Sequence, residues 1–358
     1  KGGRVIVLEQ NPHWGGRTPV DHEGGQGVID ALLDDLRGRD NVTLRRNTMA
    51  TGLYDHGYLL ARESLADHDP NQGIPRQRLW RIRAGHVVTA TGALERPLSF
   101  ACNDVPGVML ASAMRDFIVD YGVAPGQRIV VVTNNDDAYR SALVALDAGL
   151  EVVAVIDARP QATGPLPDAL RERGTPVITG SGIARVRGTR HVEGVAICRQ
   201  DGDGHVTGGF DCDVVAMSGG WSPVVHLYSH CGGKLIWDEA QAMFRPDPER
   251  PPLGADGQGM ASATGAANGD LRCAGELERD EGATMPVWVM PQNASYKARS
   301  KMWLDFQNDV KVSDVELAAR EGYASVEHTK RYTTLGMATD QGKISNINGL
   351  AILSDALN

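Results

Sequence analysis

The feature that most restricts the fold is the stretch from Arg128 to Asp157, which reads as one complete βαβ unit. Ile129-Val130-Val131-Val132 is an unbroken β-branched run, the composition of a strand covered on both faces of a parallel sheet. Thr133-Asn134-Asn135-Asp136-Asp137-Ala138 then turns the chain into a helix. Its apolar positions Ala142, Leu143, Ala145 and Leu146 recur at helical spacing, and Gly149 ends it. Val152-Val153-Ala154-Val155-Ile156 forms a second strand that stops at an acid, Asp157. Strand, tight turn, helix, strand and an acid roughly 20 residues past the turn is the layout of a dinucleotide-binding half.

The turn itself departs from that layout. Glycines in the G-x-G-x-x-G pattern let the backbone approach a diphosphate and let helix and strand pack closely. Thr133 and Asn135 stand where the first two glycines belong, and only Ala138, at the third position, is an accepted variant. Side chains occupy the space of the phosphates. Either the fold is kept here without its nucleotide, or the site takes a modified ligand.

The chain opens on Arg4-Val5-Ile6-Val7-Leu8-Glu9, which reads as the second strand of another such unit, with Glu9 at the acid position. Its first strand and glycine turn would lie upstream, so the sequence is expected to be a fragment. The expected role of Glu9 is to accept hydrogen bonds from the adenine-ribose hydroxyls of a dinucleotide; the alternative is a solvated carboxylate at a strand end. An acid there also repels a 2′-phosphate, which favours NAD or FAD over NADP. Gly15-Gly16-Arg17 follows in a loop. Val28 to Leu36 predicts an amphipathic helix and Asn41 to Leu44 a short strand. Thr48 to Tyr54, Tyr58 to Arg62 and Leu79 to Arg83 alternate as in a three-stranded meander, with a loop over Asp67 to Gln77.

Val87 to Ala93 is an apolar strand ending in Ala90-Thr91-Gly92, followed by Glu95-Arg96-Pro97. Such a strand-to-loop crossing occurs in flavoproteins built from two dinucleotide domains, and Gly92 permits close backbone approach at the carboxyl end of the sheet, unless it is only a turn glycine. Pro176 to Val186 and Val192 to Arg199 read as a second meander, and Asp213 to Trp221 repeats the strand-then-glycine logic. Ala263 to Gly269 reads as a glycine-rich turn and helix start returning to the first domain. From Pro286 the character shifts to helices at Asp314 to Glu321 and Val326 to Thr333, with Ser313 and Glu316 spaced as a capping box.

These readings predict an α/β fold of two dinucleotide-binding (FAD/NAD-linked reductase-like) domains, one inserted in the other, plus a small C-terminal helical domain. The expected bounds are 1–125 and 216–285 for the first domain, 126–215 for the second, degenerate one, and 286–358 for the helical part. A length of 358 residues with 42 glycines suits that plan. The net charge of -9 argues against nucleic acid and against an anionic membrane surface. Cys102, Cys198, Cys212, Cys231 and Cys273 stand singly, which removes support for zinc, dithiol and iron-sulfur chemistry. His226 and His230 could share a helical face, but no third ligand accompanies them. No apolar run is long enough to span a bilayer, so the cytoplasm is the expected location.

Taken together, Ala90 to Pro97, Asn103 to Ala111, Thr133 to Tyr139, Met217 to Leu227, Phe306 to Val310 and Ser325 to Lys343 resemble the α subunit of heterotetrameric sarcosine oxidases. The resemblance implies an αβγδ enzyme that oxidatively demethylates sarcosine to glycine, reduces O2 to H2O2 and passes the one-carbon unit to tetrahydrofolate. It implies NAD bound without catalytic use in the first domain of this chain, FMN at the interface with β and FAD in the β subunit. Carried over residue by residue, Glu9 and Gln10 match the strand-end ribose site, Arg17 the position past the double glycine, and Met49 the backbone flanking adenine. Ala266, Leu271 and Cys273 match the returning segment. Two departures are expected: the first glycine motif and the folate-binding domain both lie outside the sequence, so no folate site is assigned. No catalytic or metal-binding residue is expected in this chain. Competing readings are the large subunit of a related amine or opine dehydrogenase or cyanide-forming glycine dehydrogenase, whose cluster needs cysteines this chain lacks near its C-terminal helices, and a silent NAD-retaining scaffold.

Overall fold

A computed structural model describes residues 3–21, 25–67, 69, 73–272 and 282–357. The chain forms two compact units. One comprises Lys1–Ala93, Ser222–Asp238 and Met243–Arg279; the other comprises Leu94–Trp221, Glu239–Ala242 and Asp280–Asn358.

In the second unit the β-branched runs become the middle of a five-stranded parallel sheet. Its spatial order is Val177–Ile178, Glu151–Asp157, Arg128–Thr133, Val214–Ser218 and Val108–Leu110. Ile129, Val130, Val131 and Val132 are all fully buried, because both faces are covered. On one face lie the helices Ala111–Tyr121 and Asp137–Asp147, which bring Met114, Ala138, Ala142 and Ala145 against Ile129, Val131 and Val155. On the other lies a three-stranded antiparallel meander, Ser181–Arg187, Gly194–Arg199 and Val206–Phe210, whose Ile183, Val186, Val195 and Ile197 meet Val130, Val132 and Ile156. Continuous apolar strands are the sequence signature of that two-sided cover.

The structure departs from the sequence reading at several points. Residues 94–125, assigned above to the first domain, supply the edge strand Val108–Leu110 and the helix Ala111–Tyr121 to the second unit; an apolar run of three carries no periodicity to reveal it. Val177–Ile178 belongs to the parallel sheet, and the third meander strand is Val206–Phe210, where Gly208 and Gly209 dilute the strand pattern. The helix Val312–Arg320 begins two residues before the expected start, and Asp314, not Glu316, closes its capping box by accepting the Lys311 N–H at 2.9 Å. Glu316 pairs instead with Arg299.

The last stretch of the second unit has its own core. Met302, Leu304, Val310, Val312, Val315, Ile352 and Leu353 pack together, joining the hairpin Trp303–Asp305 and Val310–Lys311 to the helices Val312–Arg320 and Asn346–Leu357. Asn103 ties the hairpin back by accepting the Trp303 N–H (2.8 Å) and donating to its carbonyl (2.9 Å), and Asn348 donates to the Pro97 carbonyl at 3.0 Å.

The first unit is assembled from small pieces. Val5–Leu8 pairs in parallel with Val42–Arg45, and Val87–Thr89 pairs in parallel with Ala261–Ala263. Thr48–Tyr54, Tyr58–Ser64 and Gln77–Arg83 form the expected meander. Leu53, Leu59, Ala61, Tyr228 and Ala261 make its core. Among the described residues no helix is long and apolar enough to cross a membrane.

Truncating Leu304, which is 1% exposed, to Ala should cost about 2–5 kcal/mol in denaturant unfolding, whereas the half-exposed Leu317→Ala should stay within about 0.5 kcal/mol. Equal effects at the two positions would contradict the C-terminal core described here.

Candidate functional site

Two places stand where the sequence leads one to expect a nucleotide cradle, and their chemistry is opposite. In the first unit Glu9 follows the strand Val5–Leu8, and its backbone is locked on both sides. Its N–H donates to the Arg45 carbonyl (2.8 Å), and its carbonyl accepts the Thr48 N–H (2.8 Å). The half-buried carboxylate accepts the Asn11 N–H through Oε1 at 2.8 Å, and no hydrogen bond reaches Oε2 among the described residues. One acceptor atom at the tip of the strand is thus held in place and open.

The strand Thr48–Tyr54, which carries Met49, is joined to that tip through Thr48, and Met49 is exposed. Gln10 is exposed, whereas Arg17 is engaged with Asp21 through two nitrogens at 2.9 and 3.0 Å. Gly15 is required by packing: its φ is +105°, and a Cβ would lie 2.7 Å from the Ile29 side chain.

A second group lies at the carboxyl end of the pair Val87–Thr89 and Ala261–Ala263. Gly92 has φ +75° with open space where a Cβ would stand, and its carbonyl accepts the Val224 N–H at 2.9 Å. Thr264 N donates to the Thr89 carbonyl, which starts the short 3-10 turn Gly265–Asn268 containing Ala266. Leu271 follows, half-buried, and Cys273 lies outside the described residues. The structure therefore groups Glu9 with Met49 and Gly92 with Ala266, each at the carboxyl end of a parallel strand pair.

The cradle of the second unit is filled by its own side chains. Thr133, Asn134, Asn135, Asp136 and Asp137 are all buried. Thr133 Oγ1 accepts the Asn135 N–H (3.1 Å), Asn135 Oδ1 accepts the Asp137 N–H at the helix start (3.1 Å), and Asn135 Nδ2 donates to Ser218 Oγ (3.0 Å). Asn134 Nδ2 donates to the Met285 carbonyl (2.7 Å), and Met285 N–H returns a bond to the Asn134 carbonyl (3.1 Å). The acid at the end of the second strand, Asp157, is fully buried and accepts from Tyr139 Oη (2.7 Å) and from Arg159 Nε and Nη2 (3.1 and 2.7 Å). Arg159 Nη2 also meets Asp136 Oδ1 at 2.6 Å, and Asp136 Oδ2 accepts the Gly282 N–H at 2.7 Å. Burial works against its charge, yet the bonds to Asp157 and Asp136 hold the Arg159 guanidinium more firmly protonated than usual. Phosphate space, helix start and ribose acid are each satisfied internally.

The same edge of the sheet holds further buried charge. Burial pushes the Glu95 carboxyl up to about 7, with nearby Asp137 adding to the rise against hydrogen bonds from Ser218 and Ser112. Its Oε2 accepts the Ser112 N–H at 2.8 Å. Arg96, lowered to about 10 by burial, donates to the Gly219 and Ala242 carbonyls (3.2 and 2.5 Å) and lies over the Trp288 ring at 5.5 Å. Arg115 pairs with Asp137 at 2.9 Å. Glu95 and Arg96 were visible in the sequence only as neighbours of Gly92. Arg159 gave no sign beyond standing two residues past the acid. Among the described residues no three His, Cys, Asp or Glu side chains are grouped to hold a metal ion.

Comparison with known proteins gives consistent results. A family profile described as the sarcosine oxidase A3 domain matches residues 299–358. Across 99% of its length the chain is 35% identical to the sarcosine oxidase subunit alpha of Rhizobium meliloti (strain 1021), covering 37% of that protein. It is 37% identical, again over 99% of its length, to the subunit alpha of Corynebacterium sp. (strain P-1), covering 40% of it. The chain thus spans well under half the length of these curated relatives. Among solved structures, L-proline dehydrogenase from P. horikoshii shares the fold at a TM-score of 0.69 and 19% identity, over 98% of this chain and 69% of the other.

Arg159→Ala should destabilise the second unit by about 3–5 kcal/mol, since it leaves two buried carboxylates unpaired, and adding Asp136→Asn should recover part of the loss. A neutral Arg159→Ala would show that the network carries no stability. For Glu95 the folded form holds its proton up to about 7 while the unfolded form loses it near 4.5. The folded state therefore binds more protons in that window, and this group's contribution to stability falls as pH rises through it. Glu95→Gln should flatten that slope and gain up to roughly 3 kcal/mol above pH 7. Parallel stability-pH curves for the two proteins would refute the assignment.

Proposed function

The chain belongs to the α-subunit family of sarcosine oxidases, and from that premise we propose that it is the nucleotide-holding part of such a subunit, retaining NAD in its first unit and none in its second. The observation that carries this reading is the contrast between the two strand-end acids. Glu9 keeps one oxygen open on a locked backbone, whereas Asp157 is saturated by Tyr139 and Arg159. A ribose hydroxyl donates, so an accepting carboxylate with a spare oxygen fits it and a saturated one does not. Gly92 and the turn around Ala266 offer backbone without side-chain bulk for the remainder of the dinucleotide, and Met49 flanks the adenine end. The negative charge of Glu9 favours NAD over NADP.

In this reading the chain performs no chemical step. Flavins in the complex, FMN bordering this subunit and FAD in β, supply the two-electron chemistry of sarcosine demethylation, with O2 as acceptor and tetrahydrofolate taking the one-carbon unit. This chain binds, orients and excludes water. Its candidate flavin-facing segment runs from Arg331 to Lys343, of which Arg331 to Thr333 end the helix Val326–Thr333. There Asp305 Oδ2 accepts the Gly336 N–H at 2.8 Å, Gln307 Oε1 accepts the Thr339 N–H at 3.2 Å, and Asn308 Nδ2 donates to the Thr334 carbonyl at 2.8 Å, so the loop is presented in one shape with Met337 exposed. The self-filled second cradle supports a holding and scaffolding role over a catalytic one.

The subunit purified intact is expected to retain NAD, and Glu9→Ala to weaken retention by about 1–3 kcal/mol, read as released nucleotide on dialysis. Retention unchanged by Glu9→Ala would remove the ribose role. Expressed without β, the chain should leave sarcosine unoxidised, and turnover by the chain alone would overturn the subunit reading while leaving the NAD site to be judged separately.

A further inference from the structure

We propose that the strand Gln77–Arg83 accepts an extended, acidic polypeptide segment along its open edge, as a fourth strand of the first unit's meander. The sheet runs in the order Thr48–Tyr54, Tyr58–Ser64, Gln77–Arg83, so the last strand has a neighbour on one side only. It pairs with Tyr58–Ser64 over all seven of its residues without a register shift. Sheet edges are commonly blunted by a bulge, a proline or a very short strand, and this edge has none of the three.

Two bonds bracket the strand and fix which backbone groups face outward. The Ala84 N–H donates to the Gly57 carbonyl (3.0 Å) and the Leu65 N–H to the Arg76 carbonyl (2.9 Å), so in the alternating antiparallel ladder the even-numbered residues bond to the neighbouring strand. The N–H and C=O groups of Leu79, Arg81 and Arg83 point the other way, and no hydrogen bond reaches them among the described residues. The side chains sort in step. Trp80 and Ile82 pack on the core of the first unit, and Arg78 on the same face donates to Glu63 at 3.2 Å. Leu79, 63% exposed, Arg81 and Arg83 stand on the outer face, opposite Arg62, Leu60 and Tyr58. Arg83 lies over the Tyr58 ring at 4.9 Å, and the exposed Arg62 and Arg81 meet no carboxylate at ion-pair distance among the described residues. Asp67 stands at the Gln77 end and is taken up by Ser64, Gln77 and Arg76. In a chain of net charge -9, this edge and face are basic.

Charge complementarity selects the occupant. A second copy of the same edge would set arginine against arginine, and like charges directly opposite each other are destabilising. In an added antiparallel strand, the residues opposite Leu79, Arg81 and Arg83 turn their N–H and C=O groups to the open edge and their side chains to the outer face. Carboxylates at those positions meet the free guanidinium groups. The intervening side chains turn to the face of Trp80 and Ile82, where apolar ones fit. Backbone bonds then supply affinity, and the alternation supplies selection. A polyphosphate or an anionic membrane answers the arginines but leaves the backbone groups unmet. This inference does not depend on the NAD reading of the first unit.

The test is a fluorescence-anisotropy titration of the chain into a labelled, end-capped peptide of alternating glutamate and valine, as long as the strand. Saturable binding is expected with Kd on the order of 100 μM at low ionic strength, weakened about tenfold in roughly 0.5 M NaCl. The same peptide N-methylated at its glutamates keeps its charge but loses the donors aimed at the edge, and it should not bind. Arg81→Gln combined with Arg83→Gln should weaken binding at least about fivefold. Both positions are exposed, so the variant should unfold at the same temperature as the parent. Absence of saturation, equal binding of the methylated peptide, or undiminished affinity in the variant would overturn the proposal.

Discussion

The second unit depends on one buried guanidinium. Arg159 lies between Asp136, at the turn before the helix Asp137–Asp147, and Asp157, at the end of the next strand, and reaches both carboxylates within 2.6–3.2 Å. Each of these charges has been taken out of water, which is costly unless geometry and further hydrogen bonds repay it. Here they do: the Arg159 N–H and Tyr139 supply further donors to Asp157, and the Gly282 N–H a second to Asp136. The two ends of a βαβ half, which in this fold converge on a ligand, converge instead on a side chain of the protein.

That substitution settles what the rest of the carboxyl edge can be. Once Asn134 and Asn135 occupy the phosphate space, their amides need partners, and the Met285 and Ser218 groups supply them. The segment from Gly282 to Met285 is thereby laid across the turn. Glu95, Arg96 and the pair Arg115–Asp137 are buried along the same edge, out of reach of water, a cost that their hydrogen bonds and the ion pair offset in part. The edge has become core.

How much of this was legible follows from what a sequence pattern can encode. Four consecutive buried β-branched residues announce a doubly covered strand, and the missing glycines at Thr133 and Asn135 announce an obstructed turn, because both are local properties. Val108–Leu110 is equally a strand of that sheet but is only three residues long, and its membership is set by a parallel partner at Val215–Met217 far along the chain. The unit boundary was misplaced for that reason. Likewise Ser313 and Glu316 had the spacing of a cap, but Arg299 claimed Glu316 from elsewhere and left the cap to Asp314. Arg159 could not be found by spacing at all, since its role exists only where strand end and turn meet in space.

The asymmetry between the units then has a physical origin in where each acid's lone pairs are spent. Glu9 and Asp157 occupy equivalent positions on equivalent strands, and both are anchored by a backbone N–H two residues on, Asn11 for one and Arg159 for the other. The divergence lies in the next residue type. Arginine two positions past the acid brings its own donors and saturates Asp157, whereas asparagine at the matching place past Glu9 contributes only its backbone and leaves an oxygen over. The two turns thus differ in what the acid has left to offer: Glu9 keeps an acceptor over, whereas Asp157 is spent on Arg159 and Tyr139, and the difference requires no change in topology.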